Sequence, residues 1–125
     1  MSLPSQSILT VDDEFDIVAV LRQVLQKQGY TVFGFTDPVL AFEHFRLNST
    51  QYGLIITDIR MPTMNGFELA EKIKVIKPSA KIVFMSAFEV GDLESLLSPF
   101  KRPDFIRKPI DIRTLVQKVK VAIAN

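Results

Sequence analysis

Two kinds of hydrophobic pattern alternate along the chain. Short apolar runs such as LII and IVF predict buried strands, and longer stretches with apolar residues every three or four positions predict amphipathic helices. A strand followed by a helix recurs five times, which is typical of β-α-β units and a mostly parallel sheet. We therefore predict strands at residues 7–11, 30–35, 53–57, 81–85 and 104–107.

Each predicted strand is followed by helical periodicity. The first helix ends at Gly29, a residue type common just after a helix end, and its apolar face is predicted to hold Ile17, Val18, Val20, Leu21, Val24 and Leu25. The second helix starts from a cap at Thr36 or Asp37, with Pro38 in its first turn. Its inward positions are predicted to be Leu40, Ala41 and Phe45.

Three further helices complete the pattern, at residues 66–76, about 89–97, and 111–124. The apolar stripe of the last helix is predicted to hold Ile112, Leu115, Val116, Val119 and Ala122 or Ile123. Near-continuous apolar strands require burial on both faces, so helices must cover each side of the sheet. The predicted fold is a three-layer α/β/α sandwich with five parallel strands and five helices.

Composition narrows the class of protein. The chain has 125 residues and 47% hydrophobic content, which suits one domain over 1–125, complete or cut from a longer protein. With 15 basic and 14 acidic residues, the net charge of +1 gives no electrostatic case for nucleic acid or a membrane. The lack of cysteine excludes disulfides and thiolate chemistry, and no apolar run has membrane length. We expect a cytoplasmic protein.

Polar residues stand directly after four of the five predicted strands. Asp12 and Asp13 follow the first, Asp58 the third, Ser86 the fourth and Lys108 the fifth. In parallel sheets, ligands bind beyond the carboxyl ends of the strands, where the strand order reverses. If the first and third strands are neighbours about 4.8 Å apart, the three aspartates share one small pocket.

Three carboxylates in one pocket repel one another, by about 4 kcal/mol for each pair at 4 Å and an effective dielectric near 20. Protonation of one acid would relieve the repulsion, but a hard divalent cation binds all three at once. Mg²⁺ is favoured, or another divalent cation such as Mn²⁺. Ser86 and Lys108 then suit an incoming phosphoryl group, with Asp58 as the nucleophile.

Taken one at a time, these residues have ordinary structural explanations. Helix capping would account for Asp12 or Asp13, a turn for Asp58, and a second cap for Ser86. Only their convergence at one edge of the sheet favours a reactive site. His44 is expected on the solvent-exposed face of the second helix.

The ordered set of motifs resembles the receiver domain of two-component response regulators. The matching stretches are VDDE, DIRMPTMNG, MSA and KP, and they cover nearly the whole chain in the family's order. The resemblance implies a flavodoxin-like, doubly wound sheet of strand order 2-1-3-4-5. It further implies a signalling phosphoacceptor that assists its own phosphorylation and dephosphorylation rather than an enzyme.

The resemblance also assigns roles to the site residues. Asp13 and Asp58 would ligate Mg²⁺ directly, Asp12 through water, and Arg60 by its backbone carbonyl. Asp58 would take the phosphoryl group from a phosphohistidine on a sensor histidine kinase or phosphotransfer protein. The Lys108-Pro109 peptide would be cis.

Switching follows from the same resemblance. Ser86 would move toward the phosphate and Phe105 would turn inward, changing the surface of helix 4, strand 5 and helix 5. That surface would contact an effector or a second receiver, with no direct binding to nucleic acid or membrane. Arg60 and Phe88 are expected to shield the acyl phosphate, and Asn65-Gly66 to give a flexible entry to the third helix.

Three other functions are weighed against this one. A haloacid-dehalogenase-like phosphohydrolase normally needs a D-x-D arrangement, from which VDDEF departs. A flavodoxin-like flavin module needs a Ser, Thr and Gly-rich first loop, whereas DDEFD would repel phosphate. A pseudo-receiver that only binds proteins has no need of all five site residues.

Overall fold

The computed structural model describes residues 7–87 and 104–124. Its strands are β1 (Ser7–Val11), β2 (Val32–Phe35), β3 (Tyr52–Asp58), β4 (Lys81–Ser86) and β5 (Asp104–Arg107). Its α-helices are α1 (Phe15–Lys27), α2 (Pro38–Leu47), α3 (Gly66–Ile76) and a C-terminal helix (Ile112–Ala124), and a 3₁₀ helix spans Ser49–Gln51. The helix predicted at about 89–97 lies outside the described residues.

The five strands form one parallel sheet in the order β2-β1-β3-β4-β5, as predicted. The chain leaves β1 for β2 on one side and then crosses to β3 on the other. The strand order therefore reverses between β1 and β3, and the crevice at their carboxyl ends is the expected ligand site of such a sheet.

Two apolar clusters lie on opposite faces of the sheet and produce the three layers. One packs α1 and the C-terminal helix through Leu21, Leu25 and Leu115, and the other packs α2 and α3 through Phe45 and Leu69. Alternate residues along each strand enter opposite clusters, which explains why the central strands are apolar at nearly every position. The predicted α/β/α class is confirmed.

For three residues, the predicted position facing the core is wrong. Val20, Leu40 and Ile112 are 41%, 58% and 54% exposed. Burial in α1 is centred on Val18 and Leu21, three residues apart, so Val20 falls outside the stripe that one helix face can bury. Sequence periodicity overestimated the width of these stripes.

The second strand begins two residues later than predicted because the end of α1 uses those residues. Gly29 adopts a φ of 95° and its N–H donates to the Gln26 carbonyl at 2.9 Å. The Tyr30 N–H donates to the Leu25 carbonyl at 3.2 Å, which closes the helix end. At the next helix, Asp37 caps the Val39 N–H and Pro38 opens the first turn, as predicted.

His44 is half-buried, so its predicted solvent exposure is wrong. Its Nε2 is hydrogen-bonded to the hydroxyl of Tyr52, a residue with no exposed surface. The rings of Phe33 and Phe35 lie 5.6 and 5.1 Å from the imidazole. A buried phenol needs a polar partner, and His44 fulfils this need on the inner side of α2.

Candidate functional site

Three aspartate side chains meet where β1 and β3 end side by side. Val11 and Thr57 are register partners, so Asp12 and Asp58 come next on adjacent strands. One carboxylate oxygen from each of Asp12, Asp13 and Asp58 lies within 4.8 Å of the others. Asp12 is completely buried, Asp58 is 7% exposed and Asp13 is exposed. The predicted meeting of the three carboxylates is therefore present.

Lys108 reaches this group from the residue after β5. The backbone N–H of Lys108 donates to the Ser86 carbonyl at 2.8 Å, which connects the end of β5 to the end of β4. Its Nζ lies 2.8 Å from Asp12 Oδ2 and 3.3 Å from Asp58 Oδ2. The Lys108-Pro109 peptide is cis, as predicted. One ammonium group therefore bridges two of the three carboxylates.

The acids and the lysine shift one another's protonation. Burial raises the pKa of Asp58 to about 6 and the charge of Asp12 adds to this, against the opposing effects of Lys108 and the Ile59 N–H. Burial lowers the pKa of Lys108, but its hydrogen bond and charge contacts with Asp12 and Asp58 outweigh this, and the net pKa is raised. Lys108 therefore stays charged, and its single positive charge compensates only part of the negative charge of the three aspartates.

Asp12 has one oxygen satisfied by the main chain and one that is not. Its Oδ1 accepts a hydrogen bond from the Glu14 N–H at 2.9 Å, just before α1. Glu14 itself occupies the N-cap position, without a side-chain cap bond. Asp12 Oδ2 is buried, and its partner is the Lys108 ammonium at 2.8 Å. A buried carboxylate beside two further carboxylates, with one ammonium between them, is a donor set that suits a hard divalent cation.

The loop from β3 to α3 is held more firmly than the sequence suggested. Asn65 and Glu68 form a reciprocal capping box at the start of α3. The Gly66 N–H donates to the Ile59 carbonyl at 2.8 Å, and a Cβ added to Gly66 would overlap the Asp58 carbonyl oxygen. The expected flexible entry at Asn65-Gly66 is therefore wrong: glycine is required here because α3 begins in contact with Asp58.

A tight turn in the same loop centres on Thr63. The Met64 N–H donates to the Pro62 carbonyl at 2.8 Å, and Thr63 has a φ of 75°. These are the features of a classic γ-turn, which is rare and strained for a β-branched residue. Met61, two residues earlier in the loop, is buried in the apolar cluster that contains Phe45 and Leu69.

Asp13 and Asp58 open onto a pocket of about 240 Å³, whereas the completely buried Asp12 lies behind it and is not among its lining residues. The lining residues are Asp13, Glu14, Asp58, Ile59, Arg60, Ser86, Ala87 and Lys108. Ser86 is 4% exposed at the end of β4. The sequence did not single out Ile59 and Ala87 as lining residues, because neither side chain carries a polar group. Ile59 contributes to the site through its backbone N–H, which donates to Asp58 Oδ1 at 2.9 Å.

Phe105 lies in β5, outside this pocket. Its ring is half-buried and 5.8 Å from that of Phe84, which in turn is 4.9 Å from Phe67 on α3. These rings belong to a third, smaller apolar cluster. Phe88, predicted to shield the site with Arg60, lies outside the described residues.

Comparison with known proteins decides the family. The family model described as response regulator receiver domain matches residues 8–120. This chain belongs to that family. The response regulator receiver protein CpdR of Brucella abortus (strain 2308) is 34% identical over 113 residues, covering 90% of this chain and 92% of its own length. Receiver domains are signalling domains of two-component systems, which agrees with the predicted class.

Solved structures agree with the receiver fold. The receiver domain of the hybrid histidine kinase CckA is 32% identical with a TM-score of 0.77, covering 94% of this chain and 98% of that chain. A receiver domain protein from Clostridium thermocellum is 22% identical with a TM-score of 0.85, covering 95% and 94%.

Receivers occur in relatives of very different length. The DNA-binding transcriptional regulator NtrC of Bradyrhizobium sp. (strain RP501 Parasponia) is 32% identical over 125 residues, and this chain spans 25% of its length.

No helix among residues 7–87 and 104–124 is long and apolar enough to cross a membrane.

Proposed function

We propose that this receiver domain accepts a phosphoryl group on Asp58 with the help of a bound divalent cation. One observation carries the proposal: three carboxylates lie within 4.8 Å of one another, and Lys108 contacts two of them. One ammonium offsets only part of the repulsion among three carboxylates, so further positive charge would stabilise the cluster. A cation and a phosphoryl group together fit both the acids and the lysine.

The cation site is assigned to Asp13, Asp58 and the backbone carbonyl of Arg60, with Asp12 acting through a water molecule. The close approach of the three carboxylates and the all-oxygen donor set support Mg²⁺, or Mn²⁺ in its place. When bound, the metal neutralises charge that develops on the phosphoryl oxygens during transfer.

The chain's own residues supply the nucleophile and the charge partner. A carboxylate oxygen of Asp58 forms the bond to phosphorus as the bond from phosphorus to the donor's leaving group breaks, and the leaving group departs with that electron pair. Lys108 neutralises the phosphoryl oxygens as a point charge, and the Ser86 hydroxyl donates one hydrogen bond. No base is required, because the reacting Asp58 is already ionised.

Phosphorylation is proposed to act on Ser86 and Phe105. Ser86 lines the pocket at the end of β4, and Phe105 follows on β5, with its ring against Phe84. Movement of Ser86 toward the phosphate would leave space that the Phe105 ring can enter. The surface that changes includes β5 and the C-terminal helix, where an effector or a second receiver would bind.

The donor is proposed to be a sensor histidine kinase or a phosphotransfer protein in the cytoplasm. Relatives support this: the sporulation initiation phosphotransferase F of Bacillus subtilis (strain 168) is 27% identical and covers 93% of this chain, and CckA is a hybrid histidine kinase. We propose that residues 1–125 form one receiver domain, either complete or part of a longer protein.

Acetyl phosphate with Mg²⁺ tests the proposal. The wild-type chain should gain the mass of one phosphoryl group, while Asp58→Asn should gain none under the same conditions. Asp104→Asn, at an exposed acid outside the site, is the matched control and should behave as wild type. An unmodified wild-type chain would refute the proposal, and hydrolysis of many phosphate esters per chain would favour a phosphohydrolase.

A further inference from the structure

The main chain of Asp58 is fixed by contacts that none of the assigned site residues provides. Asp58 is the last residue of β3, where the regular ladder ends. The next link to β4 is the Ile59 N–H, which donates to the Met85 carbonyl at 3.2 Å. The backbone sets the direction of the Asp58 Cα–Cβ bond, from which the carboxylate extends, so the position of the carboxylate depends on how this backbone is held.

Thr57 holds it from the strand side. Its side chain is completely buried, and its hydroxyl donates to the Asp58 carbonyl oxygen at 2.9 Å. A hydroxyl buried in a strand interior needs such a partner. In this case the partner is the backbone of the phosphoacceptor itself.

Gly66 holds the same carbonyl from the helix side. A Cβ at Gly66 would overlap the Asp58 carbonyl oxygen and lie 3.0 Å from both the Asp58 carbonyl carbon and Ile59 Cα. The capping box of Asn65 and the ring contact of Phe67 with Phe84 fix the start of α3 against the sheet. The carbonyl is thus confined between a hydroxyl and a helix terminus.

We propose that Thr57 is a positioning residue for Asp58, whose hydroxyl, together with the packing of Gly66, sets the direction of the Asp58 carboxylate. This inference rests on the proposed function of Asp58. Small displacements of a reacting group have large effects on rate, and an error of about 1 Å can cost on the order of 100-fold. Thr57 acts only through Asp58 and contacts no phosphoryl donor.

Three variants separate positioning from general stability. Thr57→Val keeps the shape and removes the hydroxyl, and Thr57→Ser keeps the hydroxyl. The matched control is Thr10→Val in the adjacent strand β1, because Thr10 is also completely buried but, within the described residues, its hydroxyl has no hydrogen-bond partner. Both Thr→Val changes therefore remove a buried hydroxyl from the sheet, but only one removes a contact to Asp58.

Two measurements are made on each variant. The first is the rate of phosphorylation by acetyl phosphate at saturating Mg²⁺, followed by intact mass. The second is the carboxyl-carbon (Cγ) resonance of Asp58 without metal, which reports the surroundings of the carboxylate itself, including the Ile59 N–H that donates to Oδ1. Thr57→Val should lose roughly tenfold in rate and shift the Asp58 Cγ resonance. Thr57→Ser and Thr10→Val should match wild type in both.

Three results would overturn the inference: an unchanged rate and resonance in Thr57→Val, equal losses in Thr10→Val, or no recovery in Thr57→Ser. Failure of the proposed function looks different, because the wild-type chain itself would then gain no phosphoryl group. In that case the Asp58 Cγ resonance still decides whether the Thr57 hydroxyl directs the Asp58 carboxylate.

Discussion

At the scale of single residues, the buried charge of Asp58 links the site to stability. Its pKa of about 6 in the folded chain exceeds the ordinary 3.8, so ionisation is harder in the folded state than in the unfolded one. The protonated Asp58 carboxyl therefore stabilises the folded chain, and this stabilisation is complete below about pH 4 and is lost as the pH rises through 6. The ionised form that would react is thus the form that destabilises the metal-free fold.

Replacing Asp58 by Asn should therefore stabilise the metal-free protein at neutral pH. The variant should exceed wild type by up to about 3 kcal/mol at pH 7, since one pKa unit corresponds to about 1.4 kcal/mol, and by nearly nothing below pH 4. Urea unfolding from pH 3.5 to 7.5 measures the difference. A gap that does not change with pH would contradict the role of the buried charge.

Tyr52 gives a second residue-scale prediction at alkaline pH. Burial raises its pKa from 10.0 to about 12, so its contribution to stability is complete below pH 10 and is lost as the pH rises through 12. Tyr52→Phe removes the titrating group. Between pH 10 and 12 the wild-type chain should lose stability more steeply than the variant, as measured by urea unfolding, and parallel curves would show that Tyr52 does not titrate in this range.

At the scale of elements, the loop between β3 and α3 holds strain next to the reactive residue. Thr63 adopts a φ of 75° in a γ-turn, while Pro62 and the capping box restrict the residues on either side. Strain of this kind costs on the order of 1–3 kcal/mol and persists only where surrounding contacts enforce it. The contacts of Gly66 with Asp58 and Ile59 supply that enforcement.

Thr63→Gly should relieve this strain. Glycine adopts positive φ without a steric penalty but loses more chain entropy on folding, so a net gain of about 1 kcal/mol in unfolding free energy is expected. Thr63→Ala, which keeps a Cβ, is the matched control and should gain less. Denaturant unfolding of both variants measures the effect, and equal stabilities would show that the Cβ at position 63 is not strained.

At the scale of the whole molecule, cation binding should be visible as stability. A ligand that binds only the folded chain raises its unfolding free energy by an amount that grows with ligand concentration. Mg²⁺ should therefore raise the melting temperature of wild type at pH 7 and narrow its gap from Asp58→Asn. Asp13→Asn removes an exposed acid of the cluster without disturbing the core, and it should lose most of the Mg²⁺ effect. Equal responses in wild type and Asp13→Asn would place the cation elsewhere.

Much of the architecture follows from local patterns. Every predicted strand appears within two residues of its expected ends, and the helix ends marked by Gly29 and Pro38 are where the sequence placed them. The errors share one cause, since burial depends on what packs against a helix. Val20, Leu40 and Ile112 fit an apolar period but face solvent, whereas His44 fits a polar face but packs against Tyr52.

The sequence by itself determined the class of fold, the order of its elements and the five polar residues at the strand ends, because periodicity and residue chemistry are local properties. Only the tertiary structure decided how those residues meet. The bridge from Lys108 to two aspartates, the meeting of Asp12 with Asp58 and the packing of Gly66 against the Asp58 carbonyl join segments distant in the chain. Contacts of this kind depend on strand register and helix packing, which no local pattern contains.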